Sequence, residues 1–438
     1  MNKIDFIGGN VKKCLFSMAI PMIIAMYLNM AYNLVDSIWI GNLLGEKAYA
    51  ALANSTPIIL LLTSIGMGAT NGIAILLSQA VGSKNKEKIE GLIATSLSMS
   101  IVISIFITII LELFLKHILK WLNTPNELIG MAYDYLKIYV LGYFAVYLYL
   151  YFTAVLRSFG DSMFQVISIS ISTVLNTLLD PIFIQLFGFR GAAIATILSQ
   201  LLCLAFSFIY LRKKKLFKLY ITRYDIKYAK DIIKKAIPSI VQQSLPAIST
   251  TFLTALVSSY SITAIAAYGI SGKIETILLY PAMAFNMVLT TIEGHCIGAQ
   301  RIDKAKSYLK YSIIYGCLGL FVLSIIIVNF SGQLSGIFLG SNEAARIVVK
   351  YFEIVGIGYV LNTITNCFLG SLNGIGKPTS SMILMFFYYI IVRIPLAYIL
   401  SINWGLNGIW ISVLVSHIAA CVASTISGRY CMLKYYKK

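Results

Sequence analysis

Asp36 and Asp180 are the residues of this chain best placed to do chemistry. Each lies inside a long apolar run. A charged side chain at mid-membrane costs at least about 2.5–3.5 kcal/mol on insertion scales, so each acid there needs a reason to be kept. Asn29, Asn33 and Asp36 fall at i, i+4 and i+7 and so share a helix face. Asn176 stands four residues before Asp180, which puts that pair on one face as well. Two acids with amide oxygens beside them suit a small hard cation, which takes oxygen ligands, or a proton, which a desolvated carboxylate can carry. The plainer alternative is that both acids sit at span ends and are simply wet.

A second polar set lies further along. Gln243, Thr250 and Thr254 share a face; Lys273 and Glu275 are close enough in sequence to neutralise one another; Glu293 and His295 end the same apolar run. Asn29, Asn33, Gln243, Thr250, Glu275 and Glu293 are the candidates to line a cavity for a cationic substrate, with interhelical pairing as the alternative for the two glutamates. Arg393 and His417 are also deep, and His417 stands 217 residues after Gln200, which favours a shared packing role. No phosphate-binding lysine loop, zinc-binding HExxH or histidine cluster appears. The chain is therefore not expected to be an enzyme. Any transport would run on an ion gradient, with Na⁺ or H⁺ as coupling ion and no cofactor.

The elements that must hold these residues follow from hydropathy. Of 438 residues 58% are hydrophobic and only 12% charged, with mean hydropathy +0.82, whereas soluble domains carry about 25% charged residues. Twelve apolar runs reach the roughly 20 residues needed to cross a bilayer: 14–40, 50–79, 91–115, 129–155, 163–187, 191–211, 236–258, 263–292, 308–330, 346–370, 379–401 and 407–428. Only helices satisfy their backbone in lipid over runs of this length. Turns are expected at Gly41-Asn42, Gly82-Ser83, Gly160-Asp161, Gly188, Gly340-Ser341, Gly374–Gly376 and Gly405–Asn407. Pro21 lies early in the first run and is a candidate hinge, because proline removes a helical hydrogen bond. The first run is too long for a cleavable signal peptide.

The chain also repeats itself. Ala19-Ile20-Pro21 recurs as Ala236-Ile237-Pro238, Gly82 as Gly298, Gly160 as Gly376, and Gly188 and Gly191 as Gly405 and Gly408, at offsets of 216 or 217. Tandem halves of this kind are a signature of secondary transporters. The fold class expected is an all-α polytopic membrane protein: twelve transmembrane helices in two six-helix lobes forming a tandem parallel repeat. The lobes are 1–211 and 236–438, joined by a linker loop at 212–235. Asp36 and Asp180 have uncharged repeat mates, near Leu253 and Ala397.

The net charge of +18 could suggest nucleic acid, but its distribution argues otherwise. Basic residues crowd alternate loops: Lys84, Lys86 and Lys88; Arg157; ten of them from Arg212 to Lys235; Arg301, Lys304 and Lys306; Lys377; and the C-terminal Arg429, Lys434, Lys437 and Lys438. This is the positive-inside pattern with both termini cytoplasmic. The expected surroundings are membrane lipid, with anionic lipid at the 212–235 loop as a lesser role and no nucleic acid or obligate protein partner. The seven cysteines form no CxxC and read as small core residues.

Pro21 stands fifteen residues before Asp36 in Val35-Asp36-Ser37-Ile38-Trp39-Ile40-Gly41; Ser78-Gln79-Ala80-Val81-Gly82 is echoed by Gly294-His295-Cys296-Ile297-Gly298-Ala299; and Leu156-Arg157-Ser158-Phe159-Gly160-Asp161, Asn176 to Phe183 and Gly191 to Thr196 follow in order. Together these patterns resemble the multidrug and toxic compound extrusion (MATE) family, along essentially the whole chain. The resemblance is to the bacterial and archaeal branches with a cation site in the first lobe. It implies a Na⁺ or proton site at Asp36, Asn176, Asp180 and Thr196, with Tyr135 contributing, and a first span that bends near Pro21. It further implies a cation-coupled antiporter in a prokaryotic cytoplasmic membrane, exporting amphiphilic, cationic organic compounds or drugs by alternating access. Span 7 has no acid and span 10 only Glu353, a departure from relatives with second-lobe coupling acids. A flippase of lipid-linked precursors is the alternative within a related fold, and a non-transporting membrane sensor is a third.

Overall fold

The computed structural model describes residues 4–122, 124–214, 224–338 and 341–436, and they are almost wholly helical. Eight helical stretches are long and apolar enough to cross a membrane, and two bent helix pairs raise that to ten. Two of the eight are double length. Val11–Gly82 has 72 residues and is interrupted only at Gly45, with φ +78°; Pro378–Lys434 is interrupted at Gly405, with φ +58°. Dividing each there gives the twelve expected spans. Spans 1 and 2 are 11–44 and 46–82. Span 3 is Lys86–Trp121, and span 4 is Asn126–Leu141 with Tyr143–Ser158, bent by 48°. Spans 5 to 9 are Met163–Phe187, Phe189–Lys214, Ile226–Ser258, Ile262–Gly298 and Ile302–Phe338. Span 10 is Asn342–Val355 with Gly358–Gly374, bent by 54°; spans 11 and 12 are 378–404 and 406–436.

The first turn lies at Gly45, not at Gly41-Asn42, which are helical. A left-handed φ decides the place: Gly45 adopts it at no steric cost. Span 7 starts at Ile226, so the C-terminal part of the expected 212–235 loop is helix; 215–223 of that loop, and Gly340 of the Gly340-Ser341 turn, lie outside the described residues. Helices overrun the apolar runs because polar caps extend them beyond the hydrocarbon: Asn85 accepts from the Lys88 N–H, and Ser261 from that of Ala264.

The repeat is written into the backbone. Positive φ recurs at matched positions: Lys84 with Gln300, Gly160 with Gly376, Gly188 with Gly405. A Cβ at Gly191 would lie 1.9 Å from the Phe183 carbonyl oxygen, and one at its mate Gly408 2.1 Å from that of Leu400. Gln200 donates to Ser172 Oγ, and His417 meets the Tyr388 hydroxyl, so each mate ties a sixth span to a fifth.

Two compact units emerge. One comprises 20–77 and 85–236; the other 1–19, 78–84 and 237–438. Outward faces of the spans carry large apolar side chains such as Val102, Leu113, Ile402 and Ile426. Contiguous exposure of that kind marks a membrane-facing surface.

Candidate functional site

The first-repeat unit contains an enclosed acidic site. Span 1 supplies Tyr32 and Asp36, one helical turn apart; span 4 supplies Tyr135 and Tyr139; span 5 supplies Asn176 and Asp180; span 6 supplies Thr196 and Ser199. Asp36 is 8% exposed and Asp180 and Asn176 are 0%. The carboxyls of Asp36 and Asp180 lie close enough to act on one another. Neither is wet, so the span-end alternative fails. Asn176 Nδ2 donates to Asp180 Oδ1 at 2.9 Å, which turns its own carbonyl oxygen free. Tyr32 lies beside Thr196 and Ser199. Tyr135 and Tyr139 both feel the Asp36 charge, and Tyr135 stacks on Phe189.

Five oxygens here are buried and have no hydrogen-bond partner: Tyr32 OH, Asp36 Oδ1, Asn176 Oδ1, Asp180 Oδ2 and Thr196 Oγ1. Buried polar groups are normally satisfied, and these five are oxygens of the kind a hard cation takes. Among the described residues no basic side chain acts on either carboxyl, and no three His, Cys, Asp or Glu gather as a transition-metal site would require. Two ionised carboxylates about 4 Å apart repel by roughly 4 kcal/mol at an effective dielectric of about 20. The pair therefore needs a shared proton or a bound cation.

The structure thus brings together Asp36, Asn176, Asp180, Thr196 and Tyr135. It leaves Asn29 and Asn33 outside. Both are exposed, and Asn33 Nδ2 donates to Asn29 Oδ1; the polar face of span 1 divides into accessible amides and an enclosed acid. Tyr32, Tyr139 and Ser199 were missed, although each stands three or four residues from a recognised member, the spacing that puts side chains on one helix face. Pro21 lies within unbroken helix.

In the other unit the polar groups form a different constellation. Glu275 accepts from the Tyr351 hydroxyl at 3.2 Å, and its charge is offset by Arg393. Arg393 donates Nε to Ser416 Oγ at 2.9 Å and a terminal nitrogen to Tyr388 OH at 2.8 Å, and lies over the rings of Tyr388 and Tyr389. It ends a π-helical turn, Phe387–Arg393, which breaks the ordinary register of span 11. Tyr388 accepts from Arg393 and from Asn362, so its own proton goes to His417 Nδ1, 2.7 Å away. Gln243 is half-buried and Thr250 exposed; the enclosed amide is Gln242, which accepts from Asn373. Glu293 is fully buried.

A family model described as MatE matches residues 21–182 and again 238–399. The chain belongs to the MatE family. The two matched segments stand 217 residues apart, the offset of the sequence repeat. The chain is 28% identical over 445 residues to the "Probable multidrug resistance protein YpnP" of Bacillus subtilis, covering 98% of this chain and 97% of that one. It is 22% identical over 427 residues to an "FAD transporter" of Shewanella oneidensis, covering 95% and 94%. A solved structure titled "Outward-facing conformation of a multidrug resistance MATE family transporter of the MOP superfamily" superposes with a TM-score of 0.94 at 23% identity, covering 100% of this chain and 99% of that one. That likeness supports the fold: an all-helical architecture of many apolar spans built from two MatE repeats.

Proposed function

We propose that this MATE transporter is a cation-coupled efflux antiporter, with Asp36, Asn176, Asp180 and Thr196 as the coupling site and Tyr32 and Tyr135 completing it. The carrying observation is the set of five unpartnered oxygens around two carboxylates that no basic side chain offsets. Protein oxygens in that number favour Na⁺ over a proton. The ion enters from outside, binds the acids and stabilises one conformation; the drug stabilises the other. Coupling requires only that difference in preference. The multidrug name of the Bacillus subtilis relative, the exposed Asn29, Asn33 and Thr250 and the half-buried Gln243 support amphiphilic organic cations as cargo, with Glu275 as the acid of that set. Glu293 is 0% exposed and is not counted among the cargo residues. Pro21 is the point at which span 1 would bend, since its missing N–H weakens the helix there. The basic loops favour cytoplasmic termini in a prokaryotic plasma membrane.

The test is efflux of a cationic dye from loaded proteoliposomes under an imposed Na⁺ or proton gradient. The expected result is gradient-driven efflux by the wild type and none by Asp180→Asn, with the effective gradient naming the ion. Folded protein that moves no dye under either gradient sinks the antiporter reading and points to lipid-linked cargo.

A further inference from the structure

Glu293 is a buried carboxylate that the coupling site does not use. It lies near the end of span 8, 0% exposed. One oxygen accepts a hydrogen bond from Ser371 Oγ of span 10; the other, Oε1, is buried with no partner. Among the described residues no basic side chain acts on it. Among the described residues, Cys296 on its own helix and Cys367 on span 10 are thiols that sense its charge, and Arg301, Asp303 and Lys304 act in turn on Cys296. Span 12 presents Met432, a second contact of Ser371 Oγ. The end of span 2 meets the next residue, Gly294, with Ser78.

The surrounding helices approach closely. Span 10 packs on span 8 through Gly370 and Gly374. A Cβ at Gly370 would lie 2.4 Å from the Asn286 carbonyl oxygen, and one at Gly374 2.8 Å from the Glu293 Cβ. Small residues four apart let helix backbones touch in this way. Gln79 Nε2 of span 2 then donates to the Gly374 carbonyl at 2.8 Å. Gly82 and Gly298, which are repeat mates, close the same junction, each against the backbone of the other helix. An ionised carboxylate here would hold one hydrogen bond and no counter-charge, a state that buried charges do not tolerate. A neutral acid fits.

We propose that Glu293 is a second proton-binding group, separate from the Asp36–Asp180 pair, whose protonation permits the ends of spans 2, 8, 10 and 12 to close on one another. Opening the junction hydrates the carboxyl, which gives its proton to water; closing it takes a proton back. This does not depend on which ion the first-repeat site binds or on what cargo is carried.

The experiment uses the full-length protein with Cys296 as the sole cysteine, and Glu293→Gln in the same background. Labelling of Cys296 by a small maleimide reports opening of the junction. Each rate is divided by the thiolate fraction measured for that variant, because Cys296 senses the Glu293 charge; the ratio of the corrected wild-type to Glu293→Gln rates is expected to rise with pH by about tenfold or more, the factor one pH unit gives a single titrating group. Infrared difference spectra should show a carboxylic-acid carbonyl band that Glu293→Gln removes, Asp180→Asn leaves, and Ser371→Ala shifts. A labelling ratio flat across pH, or no carbonyl band that answers to both Glu293→Gln and Ser371→Ala, overturns the proposal. The Ser371→Ala spectrum keeps the test decisive where Glu293→Gln does not fold.

Discussion

The two units solve the problem of a buried carboxylate in opposite ways. In the first-repeat unit Asp36 and Asp180 face one another with no basic partner and with unsatisfied oxygens around them. In the other unit Glu275 is offset by Arg393 and tied to Tyr351, and Arg393 is itself held by Ser416 and Tyr388. The same backbone positions make the contrast sharper. The repeat mates of Asp36 and Asp180 are Leu253 and Ala397, 1% and 0% exposed and members of one apolar cluster with Tyr351 and Trp410. Duplication gave both halves one scaffold. One copy holds two acids without a basic partner; the other is apolar at those positions and carries its charge in a network of its own.

If that difference is real, neutralising acids should have opposite consequences in the two units. The largest effect is expected for Asp180→Asn, which should abolish gradient-driven dye efflux, while Glu275→Gln reduces it by no more than a few-fold; equal losses would erase the distinction. Next, Arg393→Met should destabilise the protein by about 3 kcal/mol, because it strands Glu275 and breaks two charge-assisted hydrogen bonds. The double variant Arg393→Met/Glu275→Gln should recover part of that loss, as read by thermal unfolding in detergent. Asp36→Asn should do the reverse in Na⁺-free buffer: removing one of two like charges leaves the unfolding temperature unchanged or raises it, and any stabilisation by added Na⁺ disappears. Tyr388→Phe should cost less than Arg393→Met, about 1–3 kcal/mol, by unpairing buried donors on Arg393 and Asn362. A Tyr388→Phe protein as stable as wild type would show that the network is not the anchor described.

The sequence made the scaffold and the acids legible, and the reasons are local. Apolar length marks spans, and glycine at a left-handed φ marks breaks, so Gly188 and Gly405 were read correctly. Gly41 misled because glycine alone does not say which of two nearby glycines the chain will turn on. Asn176 and Asp180 announced themselves through helical spacing. Thr196 and Tyr135 came from family resemblance, and the structure places both beside the acids. What stayed hidden is long-range. Nothing in the spacing links Glu275 to Arg393, more than a hundred residues apart, and the π-helical turn that precedes Arg393 has no sequence signal. Lys273, close to Glu275 in sequence, lies over the Phe338 ring, and the charge of Arg393 that acts on Glu275 comes from another span.

The central claim is that the uncompensated pair binds the coupling cation. Its most direct test is cation binding to the purified protein without a gradient, read as calorimetric heat on Na⁺ addition or as protons taken up and released. Wild type and Glu275→Gln should bind alike, and Asp36→Asn and Asp180→Asn should not bind. Undiminished binding by Asp180→Asn, or its loss in Glu275→Gln, would contradict the account.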